Sequence, residues 1–378
     1  MTNSRRLQIL VLAMALLSWS SIAAAGSVTL AWDAVADASV SNYKVCWGTQ
    51  SGVYPSCTPT GNVTTYTVPN LSDGTAYFFV VKSTNTSGVD SSPSTEVSRR
   101  VGVPYSVAGD INGDGATDFT IFRPSTGVWH SRNTAGNFFS SVQWGASSDV
   151  PTAGDFDGDG KIDAAVYRPG IGTWYWRSSA TGAGFGIQWG VSTDKPVAAD
   201  YDGDGRTDVG VYRASAGVWY YVASKTGAGV GVQWGVSTDK PAPADYDGDG
   251  IADITVFRPS SGIWYIKRSL TNDAIGVQWG VSEDVPVPGD YDGDGKSDVA
   301  VFRPSVGIWY IRTSTNTQGI GVQWGASTDV PVPGDFNGDG KTDVAVFRPS
   351  TGIWYVRYST NSMIGMQWGL STDIPIAK

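Results

Sequence analysis

One nine-residue motif, Asp-x-Asp/Asn-Gly-Asp-Gly-x-x-Asp, starts at Asp110, Asp155, Asp200, Asp245, Asp290 and Asp335, each copy 45 residues after the last. Trp129, Trp174, Trp219, Trp264, Trp309 and Trp354 keep the same step, as do Arg123, Arg168, Arg213, Arg258, Arg303 and Arg348. A second tryptophan, in "QWG", falls at 144, 189, 234, 279, 324 and 368, so that only the last copy is one residue short. A period this strict leaves few folds open. Each copy must be one small unit that buries its apolar face against the next, as in a solenoid or a propeller.

Within a repeat the pattern reads as four short strands. In the fifth copy these are "PVPGD", "DVAVFRP", "GIWYIRTS" and "GIGVQWG", with a turn such as "ASTDVP" leading onward. No segment carries helical period or length. Four strands in each of six copies is the pattern of an all-β propeller of six blades. In "DVAVF", Val299 and Val301 fall on one face and Ala300 and Phe302 on the other. Both faces are apolar, which suits a blade held between two neighbours; an open sheet would alternate with polar residues. The tail "STDIPIAK" begins another first strand, and is expected to overlap the ring closure near "VPYSVAGD". A seventh blade has no sequence of its own.

Four like charges packed into nine residues need a reason. Two carboxylates ~4 Å apart repel by about 4 kcal/mol at an effective dielectric of ~20. Solvated Asp-Gly turns occur singly, but six acidic copies point to a counter-ion. Positions 1, 3, 5 and 9 offer side-chain oxygen, position 7 a backbone carbonyl, and glycine at position 6 lets the chain turn sharply. Flexible, oxygen-only coordination suits Ca²⁺ better than Mg²⁺. An EF-hand would close with glutamate at position 12, where this chain has Ile121, Val166, Val211, Val256, Val301 and Val346. Here the set closes at position 9 and a strand follows.

These loops resemble those of FG-GAP/VCBS-type repeat propellers, akin to the calcium loops of integrin α-chains. The resemblance spans residues 105–378. It implies up to six structural calcium ions. Copy one would use Asp110, Asn112, Asp114, Asp118 and the Ala116 carbonyl. Copy two would use Asp155, Asp157, Asp159, Asp163 and Lys161, and copy three Asp200, Asp202, Asp204, Asp208 and Arg206. Copy four would use Asp245, Asp247, Asp249, Asp253 and Ile251. Copy five would use Asp290, Asp292, Asp294, Asp298 and Lys296, and copy six Asp335, Asn337, Asp339, Asp343 and Lys341. Asn112 and Asn337 lower the charge of two sites, which should bind more weakly. The loops hold 24 such side-chain positions, two of them asparagine, so 22 of the 35 acidic residues lie there. Six divalent ions would move the net charge from −9 to about +3.

Residues 26–100 form a separate unit. "SVTLAWDAV", "SNYKVCWGT", "TTYTVPNL" and "TAYFFVVKSTN" are strand-like runs bounded by turn residues. Trp32, and Leu71 six positions before Tyr77 in "LSDGTAY", resemble a fibronectin type III domain; Asp73 stands where that family usually has proline. "NTSGVDSSPSTEVS" matches its last hairpin and strand. Residues 101–104 are read as a linker. Arg5 and Arg6, the apolar run Leu7–Leu17 and "AAA" at 23–25 have the layout of a secretory signal peptide, cleaved after Ala25. The run is about half a membrane span, so the mature chain is expected to have no membrane segment and to be secreted or periplasmic. In that oxidising setting Cys46 and Cys57 are expected to form a disulfide.

The negative net charge excludes a nucleic-acid surface. The chain has one histidine, His130, standing where other repeats have tyrosine, so it reads as a substituted structural aromatic. No nucleophile elbow, phosphate loop or dinucleotide fingerprint occurs. Glu283 breaks the repeat, but in a turn. The repeated Arg and Trp of "FRPSTGxW", with Ala214 for proline in the third copy, read first as packing residues, with Arg held by an aspartate or a ring. Two functions stay open: a calcium-stabilised recognition or adhesion protein for glycan or protein ligands, and a secreted polysaccharide-active hydrolase or lyase. A structural module of a surface assembly is the third.

Overall fold

The computed structural model describes residues 9–11, 26–37, 39–50, 52–72, 75–101 and 108–376. Most of the leader and of the linker therefore lies outside the described residues, as do Asp73 and the last two positions. The chain parts into two compact units, one made chiefly of residues up to 103 and the other chiefly of residues from 104 onward.

The first unit is a β-sandwich. One sheet orders Ile9–Val11, Gly26–Trp32 and Thr65–Leu71; the other orders Ser56–Gly61, Val40–Gly48, Ala76–Asn85 and Val97–Arg100. Period-2 alternation sends Val28, Leu30, Trp32, Tyr43, Val45, Val68, Phe79 and Val81 into one core between them. Trp32 and Tyr43 meet at 5.6 Å between ring centroids. The Ser72 amide donates to the Tyr77 hydroxyl at 3.2 Å, which fixes the corner before Ala76–Asn85. Cys46 and Cys57 face each other across two paired strands and are disulfide-bonded. Inside the stretch read as a leader, Ile9–Val11 pairs antiparallel with Leu30–Trp32.

The second unit is the propeller, with six four-stranded antiparallel blades. Blade 2 is Val150–Gly154, Asp163–Arg168, Thr173–Arg177 and Gly184–Gln188, and blades 3 to 6 repeat it with a two-residue first strand. Blade 1 consists of Phe119–Arg123, Val128–Arg132 and Phe139–Gln143, and takes its first strand from the far end of the chain. Ile374–Ile376 pairs with Thr120–Phe122. The tail is thus the closure, and no seventh blade is needed.

Packing shows the ring to be complete. Each blade's second strand is buried on both faces, as expected from "DVAVF". Val299 and Val301 pack with Phe257 and Trp264 of blade 4, whereas Ala300 and Phe302 pack with Val344 and Val346 of blade 6. Six such clusters fill six junctions, and the one between blades 6 and 1 joins Phe119 and Ile121 to Phe347 and Trp354. Trp174, Trp219, Trp264, Trp309 and Trp354 are fully buried in them. Burying one indole removes roughly 150–250 Å² from water, on the order of 4–6 kcal/mol as an upper figure. Among the described residues no helix is long and apolar enough to cross a membrane.

Candidate metal centres on a ring of aspartate loops

Each aspartate loop leads into the second strand of a blade, and in blades 2 to 6 it joins that strand to the first. Its glycines at positions 4 and 6 both take left-handed φ, 80° and 86° in the case of Gly113 and Gly115. A side chain would be strained at either place. This conformation turns two amides inward. Gly113 N donates to Asp110 Oδ1 at 2.6 Å and Gly115 N to Oδ2 at 2.8 Å. Asp155, Asp200 and Asp335 are held in the same way.

The ninth position is pinned from two sides. Asp163 Oδ2 accepts from Phe156 N at 2.9 Å, and Oδ1 accepts from Ser179 N at 2.6 Å. Asp208, Asp253, Asp298 and Asp343 repeat the arrangement with Ser224, Ser269, Ser314 and Ser359. The result is a set of converging carboxylates. Asp155, Asp157 and Asp163 bring one oxygen each within 4.8 Å of the others. So do Asp200, Asp202 and Asp208, then Asp245, Asp247 and Asp253, and in the fifth loop Asp290, Asp292 and Asp294. Position 5 joins the group only in that fifth loop.

Two observations test whether a cation fits. Asp202 uses one oxygen on the Lys225 amide and Asp292 one on the Thr315 hydroxyl. The other oxygen of each, Oδ1, is buried with no hydrogen-bond partner. An orphaned buried carboxylate oxygen costs free energy unless something positive reaches it. Burial, reinforced by neighbouring aspartates, also pushes the ninth-position carboxyls of Asp118, Asp163, Asp208, Asp253 and Asp343 up to about 7, and Asp298 to about 8. The donor set is all oxygen, which suits a hard divalent cation.

Loops 1 and 6 differ. Asn112 Nδ2 donates to Asp114 at 3.0 Å and to Asp118 at 3.2 Å, and Asn337 Nδ2 donates to Asp339 at 3.0 Å. There an amide supplies some of the positive character that the other four loops lack.

The loops also form a chain of their own. The eighth-position amide of each donates to the first-position carbonyl of the preceding one: Ile162 to Asp110, Thr207 to Asp155, Ala252 to Asp200, Ser297 to Asp245 and Thr342 to Asp290. Thr117 to Asp335 closes the circle, and all six distances lie between 2.6 and 2.8 Å. Because backbone carries these bonds, position 8 can be Ile, Ala, Ser or Thr, and no residue pattern reveals them.

The repeated arginines and tryptophans are architectural. Arg168, Arg213, Arg258, Arg303 and Arg348 each hold a wholly buried aspartate of the preceding turn (Asp149, Asp194, Asp239, Asp284, Asp329), and Arg123 holds Asp373. The five guanidiniums of blades 2 to 6 also stack on Tyr175, Tyr220, Tyr265, Tyr310 and Tyr355 at 4.3 to 4.7 Å. The inner Trp donates to the carbonyl of the "QWG" Trp in its own blade, whose indole donates in turn to the next blade, as in Trp129 to Trp144 and Trp144 to Tyr175. Glu283 accepts from the exposed Ser305 hydroxyl and joins no acidic cluster.

Blade 1 departs from the repeat at His130, read from the sequence, and at Ser141 and Phe139, which sequence reading passed over. His130 takes the tyrosine position and bonds Ser141 Oγ at 2.8 Å, where the other blades have glycine. Phe139 stands opposite Arg132, where Gly184 stands opposite Arg177. The signal was present: position by position, Phe139 is the one aromatic among Gly184, Gly229, Ala274, Gly319 and Met363.

Comparison with known proteins finds two families along the chain. The model of the FG-GAP-like repeat matches residues 110–166 and 290–346, and that of the fibronectin type III domain residues 17–100. No curated protein matches at a significant level. Among solved structures, the chain is similar to virginiamycin B lyase from Staphylococcus aureus, with 7% identity, 70% of this chain and 88% of that one covered, and TM-score 0.45. It is similar to an Agrocybe aegerita lectin described as recognising non-reducing terminal N-acetylglucosamine, with 15% identity, coverage of 68% and 78%, and TM-score 0.45. A DUF4784 family protein from Bacteroides caccae is 9% identical, with coverage of 91% and 92% and TM-score 0.41.

Proposed function

This chain carries FG-GAP-like repeats behind a fibronectin type III domain, and we propose that it is a secreted recognition or adhesion scaffold, stabilised by calcium, for glycan or protein ligands. The observation that supports calcium is the pair of orphaned buried oxygens, Asp202 Oδ1 and Asp292 Oδ1, inside converging carboxylate groups. The ion supplies charge neutralisation. The chain supplies the rest: left-handed glycines aim the first aspartate, serine amides hold the ninth, and the circle of backbone bonds keeps the six loops in register.

Calcium here is structural. At ~1 mM Ca²⁺ and dissociation constants of ~0.1–1 mM, each site adds roughly 0.4–1.4 kcal/mol. Six sites sum to a few kcal/mol, comparable to a domain's net stability. Export through removal of residues 1–25 agrees with the disulfide, which persists in oxidising compartments. A ring of similar blades also suits repeated weak contacts, whose avidity grows with number.

Glycan and protein arrays probed with the calcium-loaded chain test the reading. Saturable binding without turnover supports it. Product formation from a polysaccharide would replace it with the enzyme reading. A melting temperature indifferent to chelator would remove calcium from it.

A further inference from the structure

The junction between blades 6 and 1 holds a cavity of 230 Å³, lined by Ile121, Arg123, His130, Phe139, Trp368 and Gly369. It lies where the repeat is broken. At the other five junctions a tyrosine ring fills the space over the blade's arginine. Here the ring is His130, drawn to Ser141 on the neighbouring strand. At three junctions the outer indole lies directly over a glycine: a Cβ on Gly184 would stand 2.5 Å from Trp144, on Gly229 2.6 Å from Trp189, and on Gly319 2.1 Å from Trp279. Here Phe139 stands in the glycine's place and meets Trp368 edge-on, at 5.4 Å and 88°. The Trp368 indole donates to the His130 carbonyl at 3.4 Å, the longest of the six such bonds.

We infer that this cavity is a binding subsite for a single planar aryl group of the phenol type, seated over Arg123 against the edge-on pair of Phe139 and Trp368. The inference deepens the recognition reading and rests on it. Three arguments fix the ligand class. First, the same fold shows five times what complements this surface: a phenol ring stacked on a guanidinium. Second, 230 Å³ lies below the roughly 300–1,000 Å³ of sites for drug-sized ligands, so one ring is accommodated and an oligosaccharide is not. Third, the lining is nearly all carbon. Arg123 commits Nε and Nη2 to Asp373, and His130 commits Nδ1 to Ser141. A sugar ring would bury hydroxyls without partners, which is costly, whereas an aryl face needs none. Phe139, 65% exposed, marks the mouth.

The test is calorimetric titration of the full calcium-loaded chain with p-cresol, N-acetyltyrosinamide and N-acetylglucosamine. Saturable cresol binding is expected, with a dissociation constant on the order of 1 mM for so small a ligand. His130→Tyr supplies the missing ring and should weaken cresol binding at least tenfold while the melting temperature holds or rises. Phe139→Gly should do the same by letting Trp368 close down. Tighter binding of N-acetyltyrosinamide than of cresol would assign the subsite to a peptide side chain, and the reverse to a free phenol. Absence of cresol binding, its survival in His130→Tyr, or binding of N-acetylglucosamine that His130→Tyr abolishes would each overturn the inference. Array ligands bound by a chain that ignores cresol would sink this subsite alone and leave the scaffold reading standing.

Discussion

Arg123 and Asp373, 250 residues apart in sequence, share one bidentate ion pair, with Nε and Nη2 at 2.9 and 2.8 Å from the two carboxylate oxygens. In every other blade the same pair spans 19 residues, as in Arg168 and Asp149. The closing pair is therefore a copy of a repeated joint, built from the two ends of the propeller. The Asp373 side chain is fully buried, and Oδ2 also accepts from Leu370 N at 2.8 Å.

Arg123→Ala leaves that buried carboxylate without its partner. The expected cost is about 3 kcal/mol in the propeller's stability, read by denaturant unfolding. Arg268→Ala, at the exposed pair with Asp273, should leave the curve in place.

Calcium should titrate in two classes. Loops 2 to 5 have aspartate at position 3, whereas loops 1 and 6 have Asn112 and Asn337. Calorimetry is expected to give four stronger and two weaker sites. Asn112→Asp should move one site from the weaker class to the stronger. Six equivalent sites in the parent chain would contradict this assignment.

Without metal, stability should fall as pH rises. The ninth-position carboxyls are pushed up to about 7, and Asp298 to about 8, from an ordinary 3.8. Between those limits the folded chain holds protons that the unfolded chain releases. Stability therefore declines from about pH 4 toward pH 8. Calcium displaces the protons and should abolish or reverse the slope. Melting temperatures from pH 4.5 to 8, in chelator and in excess calcium, provide the check.

Cysteine removal should act locally. Cys46→Ala with Cys57→Ala opens a loop with a sequence separation of 11 and should cost the N-terminal unit roughly 2–3 kcal/mol. The propeller's calcium-dependent transition is expected to stay where it is.

What could be read in advance follows from what carries the information. Strand number, blade count and the acidic loops depend on side-chain types at fixed spacing, and the 45-residue step exposes them. The loop circle depends on amides and carbonyls that every residue has, so Thr117 and Ile162 looked unremarkable. The cavity needed knowledge of which blades touch. His130 stood out in the sequence, but Phe139 acquires meaning only once Trp368, far along the chain, is placed beside it. The pairing of Ile9–Val11 with Leu30–Trp32 lies beyond what a leader pattern suggests, and N-terminal sequencing of exported protein, with Gly26 expected first, will show whether that strand persists.

The closing strand sets an order of events. Ile374–Ile376 completes a blade whose other strands were made some 250 residues earlier. Until it emerges, Phe119–Arg123 shows a bare edge, and the junction of blades 1 and 2 lacks Ile376. During synthesis blade 1 therefore stays one strand short until residues 374–376 are made. Locking comes as a single late act rather than blade by blade, and an unlatched ring is the form most exposed to chaperones, proteases and neighbouring edges.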